Sequence, residues 1–165
     1  MDSALPIQAN FQERSRMFED AKNVIRNSSK ETSVYVGCDS VRFKKNGKWF
    51  ARYATVVVVH YDTCHGASIF HNIQILPDFG NIKLRILNEA MFAGAAAAEI
   101  EDCLEGRYLE IHLDINPSPQ HKSNVALSEA VGYVLGTTGV KPLVKPASWA
   151  ASHCADFAAR GKPFH

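Results

Sequence analysis

Ser33-Val34-Tyr35-Val36-Gly37-Cys38-Asp39 alternates, is rich in β-branched residues and ends on a carboxylate, so it reads as a strand. The next residues settle how that strand is paired. In Phe43-Lys44-Lys45-Asn46-Gly47-Lys48-Trp49, the Asn-Gly pair lies between strand-like flanks. Both of its positions tolerate positive φ, which predicts a tight hairpin. Phe50 to Tyr61 continues as a second strand around the run Val56-Val57-Val58-Val59. A loop over Asp62 to Gly66 leads to a third strand, Ala67 to Leu76, and Pro77-Asp78-Phe79-Gly80 breaks the pattern. Three sequential strands on short turns make an antiparallel meander.

Beyond the meander the period changes. A long helix is predicted from about Ile82 to Glu105, with Gly106 as its stop. Tyr108 to Ile115 is a fourth strand, ended by Asn116-Pro117-Ser118-Pro119. Ser123 to Leu135 reads as helix, Pro142 to Lys145 as a short fifth strand, and Ser148 to Arg160 as a closing helix. The order β-β-β-α-β-α-β-α implies an α/β fold: a mixed five-stranded sheet, three strands antiparallel and then parallel ones, flanked by helices. Upstream, Phe11, Phe18, Ala21, Val24 and Ile25 fall near helical spacing over Phe11 to Arg26. We therefore expect a helical extension over residues 1–30 in front of a domain over residues 31–165.

A chain of 165 residues suits one domain with a real core. Its formal net charge of +1 argues against attachment to nucleic acid or membrane by bulk charge, while leaving room for a local basic patch. Cys38, Cys64, Cys103 and Cys154 form no C-x-x-C pair and read as reduced thiols of a cytoplasmic protein. Apolar runs such as Ala54 to Val59 are far too short to span a bilayer, so no membrane partner is expected.

Acids on apolar surfaces are costly unless compensated, and four break the pattern here. Glu89 lies on the helical stripe of Ile82, Ile86, Ala93, Ala96, Ile100 and Leu104, whereas Glu101, Asp102 and Glu105 lie opposite. Asp114 shares a strand face with Glu110 and His112 at the carboxyl end of the fourth strand. Asp39 is equally late in the first strand. If the helical crossover makes these strands parallel neighbours, the two aspartates stand about 5 Å apart, outside the carboxyl ends of the strands. Asp156 lies on the closing-helix face with Trp149, Ser152, His153 and Arg160. Plainer roles remain open: a buried ion pair for Glu89, Asx turns for Asp39 and Asp114, and an i,i+4 pair with Arg160 for Asp156. Converging carboxylates repel, and hard divalent cations such as Mg²⁺ or Mn²⁺ remove that cost. Two such ions would suit phosphodiester hydrolysis.

Gly37-Cys38-Asp39-Ser40, Glu89-Ala90-Met91-Phe92-Ala93, Ile111-His112-Leu113-Asp114 and Ala155-Asp156-Phe157-Ala158-Ala159-Arg160 resemble the four acid-bearing segments of ribonuclease H. More narrowly, Val36 to Ser40, Leu113 to Pro117, Lys122-Ser123-Asn124, Val131-Gly132-Tyr133 and Lys145 to Ser152 resemble the ribonuclease H-like YkuK family. The resemblance covers roughly Ser33 to Lys162. It implies the fold, a nuclease that hydrolyses RNA or an RNA–DNA hybrid to a 3′-hydroxyl and a 5′-phosphate, and Asp39, Glu89, Asp114 and Asp156 as metal ligands. His153 would carry a proton or assist product release. The chain departs from ribonuclease H in Ser40-Val41 after Asp39, in lacking a Thr-Asn pair before Glu89, and in the place of His153 one turn before Asp156.

Arg42, Lys44, Lys45, Lys48 and Arg52 crowd the first hairpin with Phe43, Trp49 and Tyr53 interleaved, a composition that suits a nucleic-acid backbone or a plain solvated tip. His121, Lys122, Ser123 and Asn124 follow the Asp114 strand end, where helix amides favour a phosphate and a simple helix cap is the alternative. The histidines show no zinc-ligand spacing, and His153 and Cys154, as helix neighbours, point apart. The expected partner is nucleic acid: RNA, DNA or a hybrid. The alternative is a non-catalytic module that binds nucleic acid or protein on the same fold. A sugar-kinase-like phosphotransferase is disfavoured, because the chain is too short for two lobes and lacks a Gly-rich phosphate loop.

Overall fold

The computed structural model describes residues 6–63 and 65–162, so Cys64 lies outside the described residues. Helix α1 spans Pro6–Asn27 and is followed by strands β1 (Ser33–Lys45), β2 (Lys48–His60) and β3 (Ala67–Pro77). Helix α2 (Ile82–Leu104) crosses to β4 (Tyr108–Leu113), and α3 spans Leu127–Thr138. The chain closes with a π-helical segment, Ala150–Ala155, that continues into α4, Asp156–Ala159. The sheet order is β3-β2-β1-β4, with β1 antiparallel to β2 and parallel to β4.

The local chemistry accounts for these elements. Asn46 and Gly47 take φ of 50° and 77°, the doubly left-handed turn that an Asn-Gly pair permits, and Lys45 pairs with Lys48 across it. Asn81 caps α2 by accepting the Leu84 N–H at 3.1 Å, and Glu105 with Gly106, both at positive φ, end it. The guanidinium of Arg107 donates to the carbonyls of Ser28, Ser29 and Leu104, tying the end of α1 to the end of α2.

Three expectations need correction. The sheet has four strands, not five: Pro142 to Lys145 contributes a single bridge, His112 to Leu143. The bonds Leu143 N–H to Ile111 O and Lys145 N–H to Ile115 O persist, but Pro142 and Pro146 bracket the stretch too closely for a full ladder. The predicted helix from Ser123 begins as a 3₁₀ turn, Lys122–Ala126. In α1, Phe18, Ala21 and Ile25 are buried as the spacing requires, but Phe11 is 70% exposed and outside the core.

Two apolar layers sandwich the sheet. On one face Val34, Val36, Cys38, Ile111 and Leu113 pack with Ile86, Ala90, Ala93 and Ile100 of α2 and with Phe18 and Ile25 of α1. On the other, Ala54, Val56 and Val58 pack with Ala155, Ala158 and Ala159. Each fully buried Ile or Val in such a layer contributes about 1.5–3 kcal/mol.

Candidate active site

Side chains alternate along β1, so Val34, Val36, Cys38 and Ser40 face α2, and Tyr35, Gly37 and Asp39 face the closing helix. On β4, Ile111 and Leu113 join the α2 layer, so Glu110, His112 and, one residue past the strand, Asp114 face the closing helix. The β1–β4 register ends at Cys38 with Leu113, so Asp39 and Asp114 are the next pair out. Asp156, at the start of α4, lies over the same face. Three of the four expected acids thus share one side of the sheet.

Burial of Asp39 and the charge of Asp114 raise the Asp39 carboxyl from its ordinary value to about 7, and Asp156 adds to the rise. The Ser40 N–H, donating to Asp39 Oδ1 at 2.8 Å, and the Lys145 ammonium oppose it. Glu89 arrives from α2, only 6% exposed, and accepts a hydrogen bond from the Ser40 hydroxyl. Burial first, then the charge of Asp39, holds its carboxyl well above the usual range. Asp39 thus feels Asp114 and Asp156, and Glu89 feels Asp39 and Asp114, a crowding that nearby positive charge would relieve.

Two cations of the chain already stand there. Lys145 Nζ lies 3.0 Å from Asp114 Oδ1, an ion pair without hydrogen-bonding geometry, and that buried oxygen has no other partner. Arg160 Nε donates to Asp156 Oδ1 at 2.7 Å, the plainer i,i+4 role open to that acid. Among the described residues, no three His, Cys, Asp or Glu side chains are gathered closely enough to hold an ion as they stand. The donor chemistry nevertheless fits a hard cation: all four acids offer carboxylate oxygen, and one oxygen of Asp114 is buried without a hydrogen bond.

The close approach of the closing helix explains how Asp156 comes near Asp39. A Cβ on Gly37 would stand 2.7 Å from the Ala151 nitrogen and 2.9 Å from the Ala150 carbonyl carbon, so only glycine lets backbone meet backbone here. His112, fully buried, fixes the helix start by accepting the Ala150 N–H on Nδ1 at 3.0 Å. Its Nε2 lies 2.9 Å from Glu110, whose other oxygen accepts the Tyr108 hydroxyl at 2.6 Å. Burial lowers the His112 pKa against the pull of Glu110, so Nε2 carries the proton and donates. The Asp156 N–H bonds back to Ala151 O, five residues earlier, which is the π geometry that turns Asp156 towards the sheet.

Other expected site residues stand apart from this cluster. His153 is exposed and its ring nitrogen Nδ1 lies 3.2 Å from the Ser152 hydroxyl. Lys44, Lys45 and Lys48 sit at the tip of the β1–β2 hairpin, about 17–20 Å along the strand from Asp39. There Arg42 lies 4.6 Å and Lys44 5.9 Å from the Trp49 ring centre, and Arg42 is also ion-paired to the buried Asp78. Ser123 accepts the Asn116 N–H at 3.0 Å and Asn124 donates to Pro117 O at 2.8 Å, so both side chains pin the loop after β4, and Lys122 precedes them.

Sequence reasoning missed Ser40, His112 and Lys145 as parts of the site. A signal existed for His112, two residues before Asp114 and hence on its face. None existed for the Ser40–Glu89 contact, which joins residues 49 apart.

A family model described as ribonuclease H-like matches residues 16–160 of the chain. No curated protein and no solved structure matches it.

Proposed function

The chain belongs to the ribonuclease H-like family, and we propose that it is a Mg²⁺- or Mn²⁺-dependent nuclease that hydrolyses phosphodiester bonds in RNA or an RNA–DNA hybrid. The observation that carries this reading is the convergence of acids from separate elements: Asp39 beside Asp114 at the β1–β4 ends, Glu89 reaching Ser40 from α2, and Asp156 close enough to act on Asp39. A purely structural acid is normally paired with a cation or protonated in isolation, whereas crowded carboxylates are what a divalent ion repays.

Asp39, Glu89, Asp114 and Asp156 would hold the metal. When bound, it supplies a nucleophilic water and charge stabilisation at phosphorus. The chain's own residues do the positioning. Ser40 orients Glu89 through its hydroxyl and Asp39 through its N–H. His112 and Gly37 keep the closing helix, and with it Asp156, against β1. In the overall reaction, one water adds to phosphorus and the P–O3′ bond breaks with its electron pair on O3′. That oxygen takes up a proton, leaving a 3′-hydroxyl and a 5′-phosphate. The basic, aromatic hairpin is suited to the flanking strand, Lys44, Lys45 and Lys48 to phosphates and Trp49, 45% exposed, to stacking. Lys122, Ser123 and Asn124 would contribute mainly through Lys122, because the other two side chains hold the loop.

One observation favours a second reading, a non-catalytic binding module. Asp114 and Asp156 each have a cation of the chain beside them, as acids in a retired site would.

Labelled single-stranded, duplex and hybrid oligonucleotides incubated with Mg²⁺ or Mn²⁺ decide between the two, with Asp39→Asn as control. Metal-dependent cutting that falls at least about 10³-fold in the variant establishes the nuclease. No cutting of any substrate by folded protein, with no metal uptake by calorimetry, leaves the binding module.

A further inference from the structure

The face of the sheet that carries Asp39 continues past it on β2 and β3. Ala51 and Tyr53 belong to the α2 layer, so Arg52 between them faces the closing helix. Asp39, Ala54 and Ile73 form one cross-strand row on that face, and Val41, Arg52 and Ile75 form the next. The Arg52 backbone is thus about 8 Å from that of Asp39, two residues along and one strand across. The end of the closing helix meets it there: a Cβ on Gly161 would lie 3.5 Å from an Arg52 guanidinium nitrogen.

Between that helix end and β3 runs an open groove of about 460 Å³. Ile73 and Ile75 line it together with Arg52, His71 and Lys162, and no described lining residue is acidic. Ile75 is 48% exposed, an apolar surface left open beside three basic side chains. Aromatic rings steady two of these: Arg52 lies 5.4 Å from the Phe43 ring centre, and Lys162 lies 5.6 Å from that of Phe157. Among the described residues neither of the two is ion-paired, whereas Arg42, Arg85 and Arg160 each have a carboxylate. Two cations held in place with their charge unmatched, beside an apolar floor, complement an anion that also carries apolar surface, as a nucleotide does.

We propose that this groove is a nucleotide subsite, which takes one unit of a single nucleic-acid strand as that strand runs on from the acids. Arg52 and Lys162 hold its phosphate, and Ile73 and Ile75 pack against its sugar and base. The subsite rests on the nucleic-acid reading of the acids and adds to it the place where the strand continues. It is a different surface from the hairpin tip and lies nearer to Asp39.

Fluorescence anisotropy of a labelled single-stranded RNA with the full chain tests the proposal, in chelator so that nothing is cut and over a range of salt. Arg52→Gln and Lys162→Gln should each weaken binding about fivefold and lower the salt slope by about 0.7, one phosphate contact apiece. Ile75→Glu puts a negative charge on the groove floor at an exposed position and should weaken binding about tenfold. Lys30→Gln, before β1 at the far end of the sheet, should bind as the wild type does. Circular dichroism checks the fold of each variant. Wild-type affinity in all three groove variants overturns the subsite and leaves the nuclease reading to the cleavage assay. Equal weakening by Lys30→Gln overturns it too, because bulk charge then accounts for the binding. So does a polyglutamate peptide that displaces the labelled RNA as well as unlabelled RNA does. A wild type that binds no strand overturns the subsite together with the nucleic-acid reading.

Discussion

On the α2 side of the sheet, Val34, Val36, Ile111 and Leu113 meet Ile86 and Ile100, with Phe18 and Ile25 of α1 behind them. On the opposite side, Ala54, Val56 and Val58 meet the closing helix through Ala155, Ala158 and Ala159, with Tyr35, Ile69, Ile73 and Trp149 packed around them, and Gly37 lies against the backbone of Ala150 and Ala151. The first layer buries large aliphatic volume. The second meets its helix through small side chains and brings two backbones into contact. Three of the four acids lie on that thin side, where a side chain as short as aspartate can meet its neighbours. The fourth comes from the thick side and is a glutamate, whose longer stem reaches the edge of β1 at Ser40. Bulk supplies stability on one face, and close approach gathers three of the acids on the other.

The sharpest way to break this contrast is to damage the thick face alone. Ile100 is fully buried in the α2 layer, and Ile100→Ala removes volume that its neighbours cannot refill. Urea unfolding should show a loss of about 3–4 kcal/mol, while the folded fraction keeps its Mn²⁺ affinity. Loss of metal affinity in step with stability would mean that the two faces are not separate in function.

Damage to the thin face should reach the acids as well. A Cβ at Gly37 meets backbone atoms rather than the flexible end of a side chain, so the closing helix must move. Gly37→Ala should cost about 2 kcal/mol of stability and weaken Mn²⁺ binding roughly tenfold, because Asp156 rides on that helix. A Gly37→Ala protein that binds metal as the wild type does would separate helix docking from site assembly.

The two faces are also unequally legible in the sequence. The Asn46-Gly47 turn, the Val56–Val59 run and the α2 stripe with Glu89 inside it are local patterns, and periodicity or turn chemistry reads them directly. The alternation of β1 and β4 gives Asp39 and Asp114 a common face, and the helical crossover that pairs the strands in parallel makes them neighbours. What escapes depends on contacts between distant segments. The π geometry at Ala150–Ala155 follows from docking on Gly37 and His112, not from the helix's own residues. The fifth strand is the exception: it shrinks to one bridge because prolines bracket it, a local signal that outweighs the strand-like residues between them. Lys145 ends that stretch, yet its place beside Asp114 emerges only once the strand ends are aligned.

The smallest expected effect concerns the cost of holding the acids together without metal. Asp39 is raised from 3.8 to about 7 in the fold, so the folded chain binds this proton more tightly than the unfolded chain does. A group shifted upward in this way contributes stability that is complete below its unfolded pKa and is lost as pH rises through the folded one. The loss runs from about pH 4 to about pH 7, with a ceiling of about 4 kcal/mol for a shift of that size. Coupling to Asp114 and Glu89 shares that cost and leaves about 1–2 kcal/mol on Asp39 itself. In chelator, Asp39→Asn should therefore be more stable than the wild type by that amount at pH 8, and the gap should close towards pH 4. Asn keeps an oxygen to accept the Ser40 N–H, so the comparison isolates the charge. Saturating Mn²⁺ should remove the advantage at pH 8, because the wild type then gains binding energy that the variant has lost. A wild type as stable as Asp39→Asn at pH 8 in chelator would mean that Lys145 and Arg160 already neutralise the thin face and that the acids exact no standing cost.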